Sequence, residues 1–200
     1  GATIGFGGRV IKEEEQPKYL NSPETPVFHK GAEIYGLYEL RKYTRHYDRI
    51  LVVEGYMDVV KLAQFGVKNA VATLGTAINS QQIETLLRYS KSLIFAFDGD
   101  KAGKRAAKKA LEETLPVLAA GKEVGFLFLP EGEDPDSFIE KQGVNTFNEL
   151  IVNNLPLSQY LLQTLEESYP LSSLEGQAEF LQAFATYTNK MPPSPLKDLL

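Results

Sequence analysis

Two runs of this sequence end in carboxylates in the same way. Ile50-Leu51-Val52-Val53 stops at Glu54-Gly55, and Leu93-Ile94-Phe95-Ala96-Phe97 stops at Asp98-Gly99-Asp100. Each run has the length of a strand and is rich in β-branched or aromatic residues, and each leads into helix-like sequence. In a parallel α/β sheet the side chains at the carboxyl ends of strands face the crevice where ligands bind, so Glu54, Asp98 and Asp100 are expected to converge. Unpaired carboxylates held close together push one another's pKa upward, whereas a divalent cation lets all of them stay ionised. Mg2+ or Mn2+ suits such oxygen donors, and Mg2+ is commonly shared with phosphates, so the expected substrate carries phosphate.

A plainer role exists for several of these acids. Asp98 or Asp100 can cap the helix that follows, Asp58 lies in a first helical turn, and Asp134 precedes a proline suited to a first turn. An EF-hand loop is excluded, because the third ligand position after Asp98 and Asp100 is Ala102.

The elements that must position these residues alternate. Strands at 49–53, 69–72, 92–97 and 124–129 are interleaved with helices at 56–65, 80–89 and 102–119, which is the α/β pattern of a parallel sheet covered by helices on both faces. The loop Thr73-Leu74-Gly75-Thr76 ends the second strand and faces the crevice with Glu54. Lys101, Lys104, Arg105 and Lys108 share one face of the third helix, which either meets a nucleic-acid template backbone through charge or simply faces solvent. Ahead of the sheet come a glycine-rich strand or hairpin over 1–11, an extended loop over 17–30 and an amphipathic helix over 32–44. Tyr35, Tyr38 and Tyr43 read as packing residues, and His29 and His46 as structural or solvent-facing. Past 145 the pattern is helical, punctuated by Pro156 and Pro170.

With 200 residues and 43% hydrophobic content the chain can bury a core. No apolar run reaches membrane-spanning length and the N-terminus has no secretion signal, so a cytoplasmic protein with no membrane partner is expected. The absence of cysteine removes disulfides and thiolate zinc sites, and two histidines argue against a histidine-rich metal site. A net charge of −5 argues against a surface coated in positive potential, so any polynucleotide contact must be local.

Glu54-Gly55 with Asp98-Gly99-Asp100 resembles the Toprim signature shared by bacterial primases, type IA and type II topoisomerases, and some nucleases and repair proteins. The longer string Val53-Glu54-Gly55-Tyr56-Met57-Asp58-Val59-Val60, with Ile4-Gly5-Phe6-Gly7-Gly8-Arg9-Val10 and Pro17-Lys18-Tyr19-Leu20-Asn21-Ser22-Pro23-Glu24-Thr25, resembles the DnaG-type bacterial DNA primase. That likeness weakens after about Gly143. It implies a Toprim-type parallel sheet at 48–145, part of a basic N-terminal α+β subdomain at 1–47 and a helical subdomain at 146–200. It also implies that Glu54, Asp98 and Asp100 are catalytic and, with Asp58, Asp134 and Asp136, hold metal, while Arg9, Lys18, Asn21 and Lys30 bind nucleotide. The implied reaction is synthesis of a short RNA primer from ribonucleoside triphosphates on single-stranded DNA, by two-metal transfer. Two departures stand out. The family's zinc ribbon is missing, and the expected contact with the replicative helicase is assigned to a domain outside this chain. The rivals are another Toprim enzyme, a topoisomerase or nuclease, and a non-catalytic metal-dependent docking module.

Overall fold

In the computed structural model, which describes residues 1–10, 19–43 and 46–200, a short ribbon leads into a mixed sheet. The ribbon pairs β1 (Gly7–Arg9) with β2 (Tyr19–Asn21) antiparallel, with Gly7 opposite Asn21 and Arg9 opposite Tyr19. Helix α1 (Leu37–Tyr43) follows, then β3 (Tyr47–Val53), α2 (Tyr56–Gln64), β4 (Ala70–Ala72), α3 (Ser80–Tyr89), β5 (Ser90–Phe97), α4 (Lys101–Thr114) and β6 (Glu123–Phe128). The chain continues through α5 (Pro135–Val152), β7 (Leu155–Pro156), α6 (Leu157–Ser168), α7 (Leu174–Thr188) and α8 (Pro195–Leu199). The sheet order is β4-β3-β5-β6-β7, parallel except for the antiparallel β7.

Alternation along the central strands builds both faces of this sheet. Ile50, Val52, Leu93 and Phe95 pack with Ile83 and Leu86 of α3, Ala107 and Leu111 of α4 and Leu161 of α6. Leu51, Val53, Ile94 and Ala96 turn to the other face, against Val59 and Leu62 of α2 and Ile139 and Phe147 of α5. Strands apolar on both faces are what a sheet sandwiched between helix layers requires. Each such buried valine, leucine, isoleucine or phenylalanine contributes about 1.5–3 kcal/mol.

Three local departures from the expected elements have physical causes, and α5 adds a break of its own. Part of the expected 17–30 loop is strand β2, recruited by β1 although three residues carry no periodicity of their own. The helix expected over 32–44 is confined to Leu37–Tyr43, because Tyr35 pairs with Ala72 at the sheet edge and Gly36 then turns the chain at φ 83. The helix expected to 119 ends at Thr114 and tightens into a 3-10 turn, Leu115–Val117, where Pro116 has no amide to give. In α5 the chain breaks at Gly143 (φ 80, ψ 167), dividing two helical halves.

Register brings the strand ends level. Val53 lies opposite Ala72, Val52 opposite Phe95 and Phe97 opposite Phe128, so Glu54, Thr73 and Asp98 leave the sheet along one edge. After β3 the chain moves to β4 on one side and returns as β5 on the other, which makes this edge a topological switch point.

Candidate metal and nucleotide site

Six acids meet at that edge in two neighbouring groups. Glu54 is exposed on its crevice side, but the surrounding strand ends strip water from it and raise its carboxyl. Its Oε1 accepts the Asp98 amide at 3.4 Å, which partly opposes that rise, and the charge of Asp100 adds to it. Asp58 is pushed up to about 7, first by burial, then by the charge of Asp134, with Asp98 and Asp136 adding further. The Gly55 amide, 3.1 Å from Asp58 Oδ2, pulls the other way. Asp98 thus stands between the groups, its backbone on Glu54 and its field on Asp58.

Capping, the plainer role weighed for these acids, is present as well. Asp100 Oδ1 accepts the Gly103 amide at 2.7 Å and starts α4, and Asp134 Oδ1 accepts the Ser137 amide at 2.7 Å and starts α5. A cap engages one carboxylate oxygen, and the second is open to another partner. Asp136 is met by Lys61 at 3.3 Å, whose ammonium also reaches Glu140 at 3.0 Å. Among the described residues no three acidic or histidine side chains are drawn together tightly enough to hold an ion. The expected single cluster of Glu54, Asp98 and Asp100 is therefore spread along the edge. Its donors are all carboxylate oxygens, the chemistry that Mg2+ and similar hard divalent ions require.

Two glycines permit this approach. A side chain on Gly99 would run into the carbonyls of Leu129 and Pro130, and one on Gly103 into the carbonyl of Asp98. The small residues of Asp98-Gly99-Asp100-Lys101-Ala102-Gly103 let β6 and the head of α4 close on the carboxylate turn.

The ribbon lies against the second group of acids. The Arg9 guanidinium sits 5.7 Å above the Tyr19 ring, and Tyr19 feels Arg9 as well as Asp58, Asp134 and Asp136. Tyr19 and Tyr35 both pack on Tyr56, with centroids at 5.7 and 5.6 Å. Asn21 Nδ2 donates to the Leu74 carbonyl at 3.3 Å, tying the ribbon to the Thr73–Thr76 loop. Asn21 Oδ1 and the Tyr56 hydroxyl are buried without a partner among the described residues, on either side of Gly7. Beyond the ribbon, the Lys30 amide donates to Glu24 at 3.1 Å, and the next carbonyl, of Gly31, accepts from Asn79, the cap of α3, at 2.6 Å, which ties this segment to the end of the Thr73–Thr76 loop. Lys18 lies outside the described residues. Beside Glu54, a cavity of about 260 Å³ is bounded by Val52, Thr73, Thr76, Ile78 and Phe97.

Lys101, Lys104, Arg105 and Lys108 run outward from Asp100 along α4, exposed and in no ion pair among the described residues. Two participants had no sequence reading of their own. Lys61 follows Asp58 by three residues, a spacing that puts both on one helix face. Tyr56 sits inside the motif, but its packing with two other tyrosines depends on tertiary structure.

Comparison with known proteins gives a consistent result. Residues 48–127 match the Toprim domain, residues 1–41 the N-terminal domain of the DNA primase catalytic core, and residues 158–200 the DnaB-helicase binding domain of primase. The third match revises the expectation that a helicase-binding domain lies outside this chain. The DNA primase of Pseudomonas aeruginosa is 52% identical over 201 residues, covering 100% of this chain and 30% of the relative. That of Legionella pneumophila is 48% identical, covering 100% of this chain and 35% of the relative. The chain thus spans about a third of the curated relatives' length. Among solved structures, a DnaG primase catalytic domain bound to single-stranded DNA aligns with a TM-score of 0.95 at 44% identity, covering 100% of this chain and 64% of the other. A DNA primase domain from Pseudomonas aeruginosa aligns with a TM-score of 0.93 at 52% identity, covering 98% and 61%.

Proposed function

Because the chain belongs to the DnaG-type bacterial DNA primase family, we propose that it supplies the metal-binding half of a core that makes short RNA primers from ribonucleoside triphosphates on single-stranded DNA. The observation that carries this reading is the edge itself, where Glu54 and Asp58 are raised at a switch point beside a ribbon bearing Arg9 and Asn21. Glu54, Asp98 and Asp100 would hold one Mg2+ or Mn2+, and Asp58, Asp134 and Asp136 a second. Bound there, the ions would neutralise charge on the reacting phosphate and activate the attacking hydroxyl. Arg9, Lys18 and Lys30 offset the negative charge of the triphosphate nucleotide, and Asn21 contacts the same nucleotide. Glu54 Oε1 and the Asp98 amide hold the two strand ends together, and the Asp100 and Asp134 caps fix where their carboxylates start.

We assign residues 1–47, 48–145 and 146–200 to the basic, Toprim and helical subdomains; the three family matches each fall within one of them. No helix among the described residues is long and apolar enough to cross a membrane, and a role in replication fits the cytoplasm. The match at 158–200 supports a second role for α6 to α8, docking of the replicative helicase.

Metal-dependent incorporation of ribonucleotides on a single-stranded template tests the enzymatic reading. Incorporation abolished by Glu54→Gln is the expected result. Metal and DNA binding by the full-length protein without any incorporation would favour the docking module instead.

A further inference from the structure

Helix α4 carries its charges the wrong way round. Its sequence, Lys101-Ala102-Gly103-Lys104-Arg105-Ala106-Ala107-Lys108-Lys109-Ala110-Leu111-Glu112-Glu113-Thr114, has no acid in the first turn and no base in the last. A helix N-terminus carries partial positive charge and a C-terminus partial negative charge, so each misplaced group near an end is disfavoured. The glutamates have partners that account for them: Glu112 accepts from the Tyr187 hydroxyl at 3.0 Å, and Glu113 accepts from Ser80 Oγ at 2.6 Å and meets Lys109 at 2.7 Å. The cations Lys101, Lys104, Arg105 and Lys108 have no carboxylate among the described residues. A solvated surface would not need this reversed order.

Lys104, Arg105 and Lys108 form one wall of a groove of about 480 Å³, whose other wall is α6 with Gln163, Thr164, Glu167 and Ser168. Its floor is aromatic, with Phe128 half-buried and Tyr160 buried, their rings 5.4 Å apart. Lys104, in its cationic wall, is one helical turn from Asp100, whose carbonyl accepts the Lys104 amide at 3.1 Å. At 1.5 Å per residue the cations from Lys101 to Lys108 extend over about 10 Å, the reach of two or three successive phosphates. A cationic wall beside the partly exposed Phe128 ring suits a single strand, whose bases are free to stack.

We infer that the α4–α6 groove carries a single strand of nucleic acid past the carboxylate edge, which extends the proposed template contact from one helix face to a two-walled track. This rests on the primer-synthesis reading for its direction but is tested apart from it.

Binding of a fluorescent oligothymidylate to the whole chain is measured by anisotropy across a salt series, with Mn2+ binding followed by calorimetry in parallel. Lys104→Glu with Arg105→Glu is expected to weaken DNA binding roughly tenfold or more, and its salt dependence should become shallower by about 0.7 for each phosphate that is no longer neutralised. Gln163→Glu, on the opposite wall, is expected to weaken it several-fold. Unchanged DNA affinity in the α4 double variant or in Gln163→Glu, or no DNA binding by the parent chain, overturns the groove. Loss of Mn2+ binding by the parent chain would instead overturn the carboxylate site and leave the groove to be judged by DNA binding alone.

Discussion

The two ends of the central sheet treat charge in opposite ways. At the amino end Lys91 pairs with Glu123 at 3.5 Å, Asn69 donates to the Arg49 carbonyl at 3.0 Å and Lys122 donates to the Ser90 carbonyl at 2.9 Å. Around these contacts lies an open polar groove lined by Tyr47, Asp48, Arg49, Lys68 and Lys91. At the carboxyl end burial, and after it the crowding of like charges, pushes Asp58 up to about 7 and raises Glu54. Strands with the same core residues thus end in a self-satisfied rim on one side and an unrelieved one on the other. The unrelieved end gives up stability in the free protein, and the natural return for that is ligand binding.

The sharpest way to break the contrast is to pry open the carboxyl end. Gly99→Ala forces a methyl into the Leu129 and Pro130 carbonyls and should cost on the order of 3 kcal/mol, read from urea unfolding, with loss of metal binding. A melting curve like the parent's would mean that β6 does not close on this turn.

Next comes the repulsion itself. The Asp58 carboxyl sits near 7 in the fold against an ordinary 3.8, so the folded form binds its proton more tightly than the unfolded chain does. That contribution to stability is full below about pH 4 and is lost as pH rises through about 7. Asp58→Asn, which keeps an oxygen for the Gly55 amide, should gain on the order of 2 kcal/mol at pH 8 without metal and flatten the pH dependence. Saturating Mn2+ should reverse the trend in the parent protein. Metal-free stability that rises between pH 5 and 8, with no change in Asp58→Asn, would place Asp58 outside the repelling group.

A smaller effect is expected at the proposed nucleotide contacts. Arg9→Ala or Lys30→Ala should weaken nucleotide binding by roughly tenfold, the value of one charge-assisted contact, with Mn2+ affinity unchanged. Equilibrium dialysis with a labelled triphosphate checks it, and parent-like affinity in both variants would return these residues to the solvated surface. The least effect belongs to the amino end. Lys91→Ala removes an exposed pair and should shift stability by less than about 0.5 kcal/mol with metal binding untouched.

Much of this was legible in the residues because the signals were local. The continuous apolar run Ile50-Leu51-Val52-Val53 marked a strand, which the fold buries on both faces, and α3 has the expected bounds 80–89, its head held in the structure by a capping box of Asn79 with Gln82. Strand ends at Glu54 and Asp98 followed from where the apolar runs stop. The partition of the acids did not, since it depends on which helix heads swing toward which strand end. Asp98 falls between the groups only because β5 lies next to β3, a fact of sheet order. The short strands β2 and β7 carry too few residues for periodicity, and β7 includes Pro156, which alone argues against a strand. Gly99 shows its role only once Leu129 and Pro130 are beside it in space.

The central claim is that the strand-end carboxylates together hold a divalent ion. Titration calorimetry of Mn2+ into the parent protein and Glu54→Gln, with circular dichroism to verify the fold, addresses it most directly. At least tenfold weaker Mn2+ binding in a normally folded Glu54→Gln protein is the predicted result. Equal Mn2+ affinity in the two proteins would contradict it.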